Sequence, residues 1–247
     1  MSRFDPAPEV QSICPAAWAG ADLGRYVAFC EQDWLDRSVA DLFGFNAVAL
    51  AQPGLEPLRN NRMPLRVCAG LASAGVLAQP QALPFASQSL DLLVLPHVLE
   101  FADSPHQVLR EAERVLRPEG RLLILGFNPV SLWGLRRWLG PRRGYPWLGQ
   151  FLRLARIKDW LALLGFEIVA GRMSCYAPPI DRAGWLRRWR FMEAAGDRWW
   201  ALGGGVYMLH AVKRVQGMRL ITPRLEKGWA KTPVLAPGAS RMSERQK

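Results

Sequence analysis

The stretch from Leu83 to Phe127 constrains the fold most, because two buried strands and the helix between them are written in it without interruption. Leu90 to Leu95 is an apolar run with Asp91 as its only charge, bounded by Ser89 and Pro96. It is too short for a buried helix, so it predicts a strand covered on both faces, as in a parallel sheet. Helix signals follow: Ser104 as N-cap, Pro105 at the first helical position and Gln107 three residues after the serine, as in a capping box. Val108, Leu109, Ala112, Val115 and Leu116 then recur on one helical face, with Arg110, Glu111, Glu113 and Arg114 on the other. Pro118 and Gly120 stop that helix, and Leu122 to Phe127 is a second short apolar run. Strand, helix, strand makes a right-handed crossover between parallel neighbours.

The flanking sequence supplies the remaining elements. Upstream, the pattern predicts an amphipathic helix from about Gln32 to Phe43, a strand over Ala47 to Ala51, a turn at Gln52-Pro53-Gly54, a short helix over Leu55 to Asn61 and a strand over Leu65 to Ala69. A third, weakly marked strand falls near Gly75 to Ala78. Downstream come a basic amphipathic helix over Ser131 to Leu139, a Gly/Pro/Arg loop from Pro141 to Pro146, and a helix over Ile157 to Leu164 closed by Gly165. Strands over Phe166 to Met173 and Val206 to Val212 flank an insertion, 175–202, in which Trp185, Trp189, Met192 and Trp199 follow helical spacing. The expected organisation is an N-terminal extension over 1–30, one α/β domain over 31–214 and a flexible basic tail over 215–247.

With 247 residues, half of them hydrophobic, the chain can bury one large core. The uncharged segment from Val67 to Leu90 contains two prolines and several glutamines and serines, which argue against membrane insertion. The N-terminus does not read as a secretory signal, so a cytoplasmic location is expected. Cys14, Cys30, Cys68 and Cys175 are widely spaced and read as reduced thiols, and the three scattered histidines give no support to a metal site. The net charge of +11 is divided unequally: residues 1–120 hold 9 basic and 14 acidic side chains, residues 121–247 hold 23 and 7. Nine of the eleven tryptophans also lie in the second half, interleaved with arginines. That mixture fits an anionic, partly apolar partner: a membrane surface, an amphiphilic substrate or nucleic acid.

The order of strands, together with Leu83-Pro84-Phe85, Ser89-Leu90-Asp91, His97-Val98-Leu99-Glu100 and Arg114-Val115-Leu116-Arg117-Pro118-Glu119-Gly120, resembles the class I S-adenosylmethionine-dependent methyltransferases, specifically the type 11 methyltransferase domain. The clear resemblance covers about residues 80 to 128, and agreement in strand order extends it to roughly 40 to 213. It implies a Rossmann-like, seven-stranded, mostly parallel sheet with helices on both faces and a final antiparallel strand. It also implies S-adenosylmethionine at the carboxyl ends of the first strands, against Ala51, Gln52, Gly54, Gln79, Leu83 and Pro96. Three positions depart from the family pattern. Where the family has an acidic residue and Gly-x-Gly, this chain has Ala51-Gln52-Pro53-Gly54, so the cofactor glycine motif is degenerate. No acidic residue closes the second strand at Val67-Cys68-Ala69-Gly70 to hold the ribose hydroxyls. Gln79 stands where an aspartate often meets the adenine amine, and its amide oxygen can still accept a hydrogen bond. A weakened affinity for the cofactor is the expectation.

His97, after the fourth strand, is the candidate general base for a substrate hydroxyl or amine, set against a purely structural hydrogen bond that fixes the loop. Glu100, Asn128, Trp133, Trp185 and Trp189 are candidates for contact with substrate or partner. Asn128 reads first as the residue that shapes the turn after the fifth strand. The leading functional expectation is methyl transfer to a small or amphiphilic molecule. The alternatives are a binding protein that kept the fold and lost the cofactor, and an RNA-binding methyltransferase.

Overall fold

The structure, a computed structural model, describes residues 15–70, 75–141, 144–189, 191–199 and 202–215. The tail beyond Val215, with Trp229, lies outside the described residues, as do Cys14 and Trp200, and so does the side chain of Trp199. Among the described residues fourteen elements follow one another: α1 (Pro15–Gly20), α2 (Asp22–Ala40), β1 (Asn46–Leu50), β2 (Leu65–Gly70), β3 (Val76–Leu77), β4 (Leu90–Pro96), α3 (Pro105–Val115), β5 (Leu116–Phe127), α4 (Leu132–Leu139), α5 (Leu154–Leu163), β6 (Phe166–Ser174), α6 (Ala183–Arg188), α7 (Phe191–Trp199) and β7 (Val206–Lys213).

The strands form one seven-stranded sheet in the order β3-β2-β1-β4-β5-β7-β6. β1 to β5 pair in parallel, and β7 runs antiparallel between β5 and β6. Alternation along the central strands divides the apolar side chains between two cores. Val48, Leu50, Leu93, Leu95, Leu122 and Ile124 face α3 and α5, whose Val108, Leu109, Ala112, Ile157 and Leu161 complete that side. Ala47, Ala49, Leu92, Val94, Leu123, Leu125 and Phe127 face α2, whose Leu23, Val27, Trp34, Leu35 and Val39 cover them. Both faces of β4 are therefore dry, which is why its sequence is continuously apolar instead of alternating.

The crossover differs in detail from the sequence expectation. α3 begins at Pro105 as expected, but Ser104 makes no side-chain capping bond; its carbonyl accepts from Gln107 N–H, so the capping box does not form. Helix ends at Val115 and the strand begins at once. Leu90 pairs with Leu116 and Leu92 with Arg121, so Arg117-Pro118-Glu119-Gly120 bulges out of the pairing. Arg117 folds back onto Asp91, whose other oxygen accepts the N–H groups of Phe45 and Asn46, so the one charge on β4 anchors the entry to β1.

Elsewhere, α2 starts at Asp22 instead of near Gln32, and Leu23 and Val27 of the expected extension pack in the same core as the sheet. No helix forms over Leu55 to Asn61, a run of turns pinned by Asn61, whose amide donates to Val39 O and Leu42 O. The insertion makes two short helices, α6 and α7, in place of one. Among the described residues no helix is long and apolar enough to cross a membrane.

The two-core packing sets a direct contrast. Leu93→Ala, at a fully buried site, is expected to lower unfolding stability by about 2 to 5 kcal/mol. Leu163→Ala, at a site 85% exposed, is expected to change it by less than about 0.5 kcal/mol. Urea denaturation of the two variants checks both.

Candidate functional site

In an open α/β sheet the ligand crevice lies where the strand order reverses, beyond the carboxyl ends of the strands. Here that point lies between β1 and β4, and the loops leaving it carry Gln52 and His97. The parallel strands, including β5, end on this side, and because β7 is antiparallel, the segments that leave β6 and enter β7 arrive there as well.

His97 is buried and follows β4 directly, with a positive φ of 51° that a residue with a Cβ seldom adopts. Its backbone N–H donates to Leu125 O across the ladder. Its ring is held from both sides: Nε2 meets Glu31 Oε1 of α2 at 2.5 Å, and Nδ1 meets Glu100 Oε1 at 3.3 Å. Phe127 stacks on the ring at a centroid distance of 4.2 Å. Burial by itself drives the imidazolium toward neutrality, but the two carboxylates outweigh it and raise the pKa to about 10. At neutral pH His97 is a cation with both nitrogens engaged, so it holds a proton and has no free lone pair with which to accept one.

Glu100 is bound as firmly as the histidine. Its Oε1 also accepts Phe127 N–H at 2.6 Å, which ties the loop after β4 to the end of β5. Its Oε2 and the Tyr207 hydroxyl are buried without a hydrogen-bond partner among the described residues. Both residues crowd Gly126, where an added Cβ would come within 2.2 Å of the Tyr207 hydroxyl oxygen and 2.8 Å of Glu100 Oε1.

At the end of β1, Ala51 N–H bonds Ala69 O, and Gly54 is exposed at φ 85°, a conformation that favours glycine, with Ala19 Cβ 3.2 Å from where its own Cβ would stand. Gln52 Nε2 donates to the Tyr145 hydroxyl at 2.8 Å. Tyr145 is itself buried, stacked on Phe101 with centroids 4.9 Å apart and at the same separation from Trp18. Burial pushes its hydroxyl well above the usual phenol pKa, with Glu100 and Glu31 adding to the effect, so it stays protonated. Tyr145 thus joins the loop after β1 to the charged cluster after β4.

The other candidates are more dispersed. Pro96 is buried at the end of β4, while Gln79 sits in an isolated bridge with Ala82 beyond β3. Leu83 is buried and its N–H is accepted by Glu111 of α3. Asn128 shapes its turn: Nδ2 donates to Val130 O, Leu202 O and Gly204 O, and Oδ1 accepts Val130 N–H. Trp133 is fully buried, with its indole N–H on Ala177 O, so α4 offers it to the core and not to a partner. Trp185 is partly exposed and lies 5.6 Å from the Trp189 ring.

Sequence reasoning missed Glu31, Tyr145 and Tyr207. Glu31 carried a readable signal, since it stands on the stripe Val27, Glu31, Leu35, Val39 of α2, an acidic residue on an apolar face. Tyr145, in a Gly/Pro/Arg loop, carried none.

S-adenosylmethionine, the cofactor this fold implies, meets a partial fit in these residues. Gly54 supplies one glycine at positive φ, close to Ala19, while Gln52 and Gln79 supply amides, that of Gln52 already donating to Tyr145. Among the described residues the end of β2 supplies no carboxylate for ribose hydroxyls. The described residues include no group of His, Cys, Asp and Glu able to hold a metal ion.

Comparison with known proteins agrees with the fold and sharpens the class. A family model for the methyltransferase domain, type 11, matches residues 58–124. The uncharacterized protein YafS of Escherichia coli is 34% identical over 163 residues, which is 64% of this chain and 67% of YafS. The malonyl-[acyl-carrier protein] O-methyltransferase of Laribacter hongkongensis is 33% identical over 120 residues, 47% of this chain but only 40% of that enzyme. Among solved structures, an S-adenosylmethionine-dependent methyltransferase of Thermotoga maritima, described as a possible histamine N-methyltransferase, superposes with a TM-score of 0.57 at 15% identity, covering 80% of this chain and 93% of its own. The chain belongs to the class I S-adenosylmethionine-dependent methyltransferase family. With YafS it shares about two thirds of that relative's length.

The charged cluster makes stability depend on pH with a definite sign. Because the pKa of His97 is raised in the fold above its unfolded value of about 6.5, the cluster's contribution is complete below that pH and is lost as pH rises through about 10. Glu31→Gln leaves the buried imidazolium one carboxylate short. It is expected to cost about 3 to 5 kcal/mol at pH 7 and to move the alkaline decline to lower pH. Thermal unfolding of both proteins from pH 6 to 10.5 tests this.

Proposed function

We propose that this chain transfers a methyl group from S-adenosylmethionine to a small or amphiphilic acceptor, at the crevice between the carboxyl ends of β1 and β4. What supports the reading is that Gln52 after β1 and the His97–Glu100 loop after β4 leave the sheet at its strand-order reversal, linked through Tyr145, which is bonded to Gln52 and stacked on Phe101. Ala51, Gln52, Gly54 and Pro96 would hold the cofactor's methionine side, and Gln79 and Leu83 its base. The cofactor brings a methyl group on a sulfonium, already activated, so the work left to the protein is positioning and exclusion of water.

His97 acts in this reading as a positioning residue. Clamped between Glu31 and Glu100, it fixes the loop after β4 that forms one wall of the crevice. Trp185 and Trp189 stand over the same end of the sheet and contact an amphiphilic acceptor. Loss of the ribose carboxylate and of the paired glycines removes contacts of about 1 to 3 kcal/mol each, so the cofactor binds weakly compared with a full motif.

A second reading, a binding protein that no longer takes the cofactor, is favoured by one observation. Tyr145, packed against Trp18 and Phe101 and bonded to Gln52, occupies the side of β1 that faces the cluster. Isothermal titration with S-adenosylmethionine separates the two. The methyltransferase reading predicts saturable heat with a Kd between about 10 μM and 1 mM, weakened at least tenfold in Gly54→Val. No saturable heat at millimolar cofactor would overturn it in favour of the second reading.

A further inference from the structure

Helix α4 faces the wrong way for a helix that exists only to cover a sheet. It buries Trp133 and Gly134 against the core, yet Leu135, Trp138 and Leu139, spaced as one helical stripe, point outward. Trp138 is 73% exposed and Leu139 68%. Leu135 and Trp138 join Val130, Leu132 and Leu202 in lining an open groove of about 460 Å³ whose walls are mainly apolar. Trp185 and Phe191 are further exposed aromatic side chains on segments that leave the same end of the sheet. Contiguous exposed apolar surface of this kind marks a place where something docks.

Charge says what docks there. The stretch 131–189 carries 11 basic and 3 acidic side chains, of which Arg153, Arg156 and Lys158 go with α5 to the opposite face of the sheet and leave 8 basic ones outside it. Arg136, on α4 itself, is exposed and lies over the Trp147 ring at 4.9 Å, while Arg182, Arg187 and Arg188 of the α6 segment are exposed as well. A second copy would bring the same positive face against itself. The chain's own C-terminal residues 216–247, with 7 basic and 2 acidic side chains, repel the face in the same way. Nucleic acid would satisfy the arginines but leave the leucines and valine of the groove without an apolar partner. An anionic lipid bilayer satisfies both, since tryptophan and leucine enter the boundary between headgroups and acyl chains while arginines stay at the phosphate level.

We propose that α4 and the groove beside it form a docking surface for an anionic lipid membrane, which sets the ligand end of the sheet against the bilayer. Docking of this kind is peripheral: the apolar stripe is one helix long and penetrates only the interface. It does not depend on methyl transfer, so it stands or falls separately from the proposed activity. Its consequence for that activity is access, because an acceptor that is itself amphiphilic reaches the crevice from the bilayer without crossing water.

The test is co-sedimentation of the full chain with vesicles of phosphatidylcholine alone and of phosphatidylcholine with phosphatidylglycerol, each at low and at physiological salt. The proposal expects partitioning onto the anionic vesicles at least about tenfold above the neutral ones, falling as salt rises. Leu139→Ser combined with Trp138→Ala should reduce that partitioning about tenfold with thermal stability unchanged, since both side chains are exposed. Arg136→Glu, with the apolar stripe intact, should reduce it on anionic vesicles and leave the neutral ones unaffected. Equal binding to both vesicle types would overturn the proposal, as would anionic binding that survives the double substitution. Retention by a single-stranded oligonucleotide that exceeds vesicle binding and is untouched by Leu139→Ser would assign the face to nucleic acid instead.

Discussion

The ion cluster of Glu31, His97 and Glu100 is the constraint on which the carboxyl end of the central strands depends. It joins three parts of the chain that share no local sequence: α2, the loop after β4 and, through Phe127 N–H, the last residue of β5. Each charge pays a desolvation cost that only the others offset, so removing one leaves its partners worse off than if none had been buried. The positive φ at His97 belongs to the same arrangement, because a residue is held in that conformation only where its surroundings over-determine it. An element far upstream, α2, thereby sets the shape of the loop after β4.

From the cluster outward the packing is aromatic. Phe127 stacks on the imidazolium and in turn meets Trp133, Phe151 and Tyr145, and Tyr145 reaches Gln52 across the end of β1. A cation over a ring face is itself attractive, which adds to the case for a protonated His97. The loops after β1 and β4 are therefore coupled through their packing. Displacing Tyr145 to admit a ligand beside Gln52 disturbs the rings that cover the charged cluster.

Much of the fold was legible because burial and local signals agreed. β4 and the end of β5 are apolar on both faces, α3 has a proline start and one apolar stripe, and Gly165 closes α5 at positive φ. The misreadings came where tertiary contacts override local chemistry. Ser104 had the right spacing for a capping box and does not use it, and Pro118 and Gly120, read as the helix stop, do lie past the helix end at Val115 but in a bulge of β5, beside the Arg117–Asp91 ion pair, that local signals did not announce. The site was less legible than the fold. His97 and Gln52 were placed by strand order, but the partners that fix the protonation of one and the orientation of the other lie 66 and 93 residues away, and neither spacing nor composition records such distances. The tryptophans misled in part, since Trp133 fills the core while its neighbour Trp138 faces out.

The central claim is that the ligand end is organised around a buried imidazolium, and nitrogen NMR of the His97 ring tests it most directly. The account predicts that both ring nitrogens of His97 carry protons at pH 7.5 and that the ring begins to lose one only as pH approaches about 10, well above the ordinary histidine range. A His97 ring that is neutral at pH 7.5, with one unprotonated nitrogen, would contradict it.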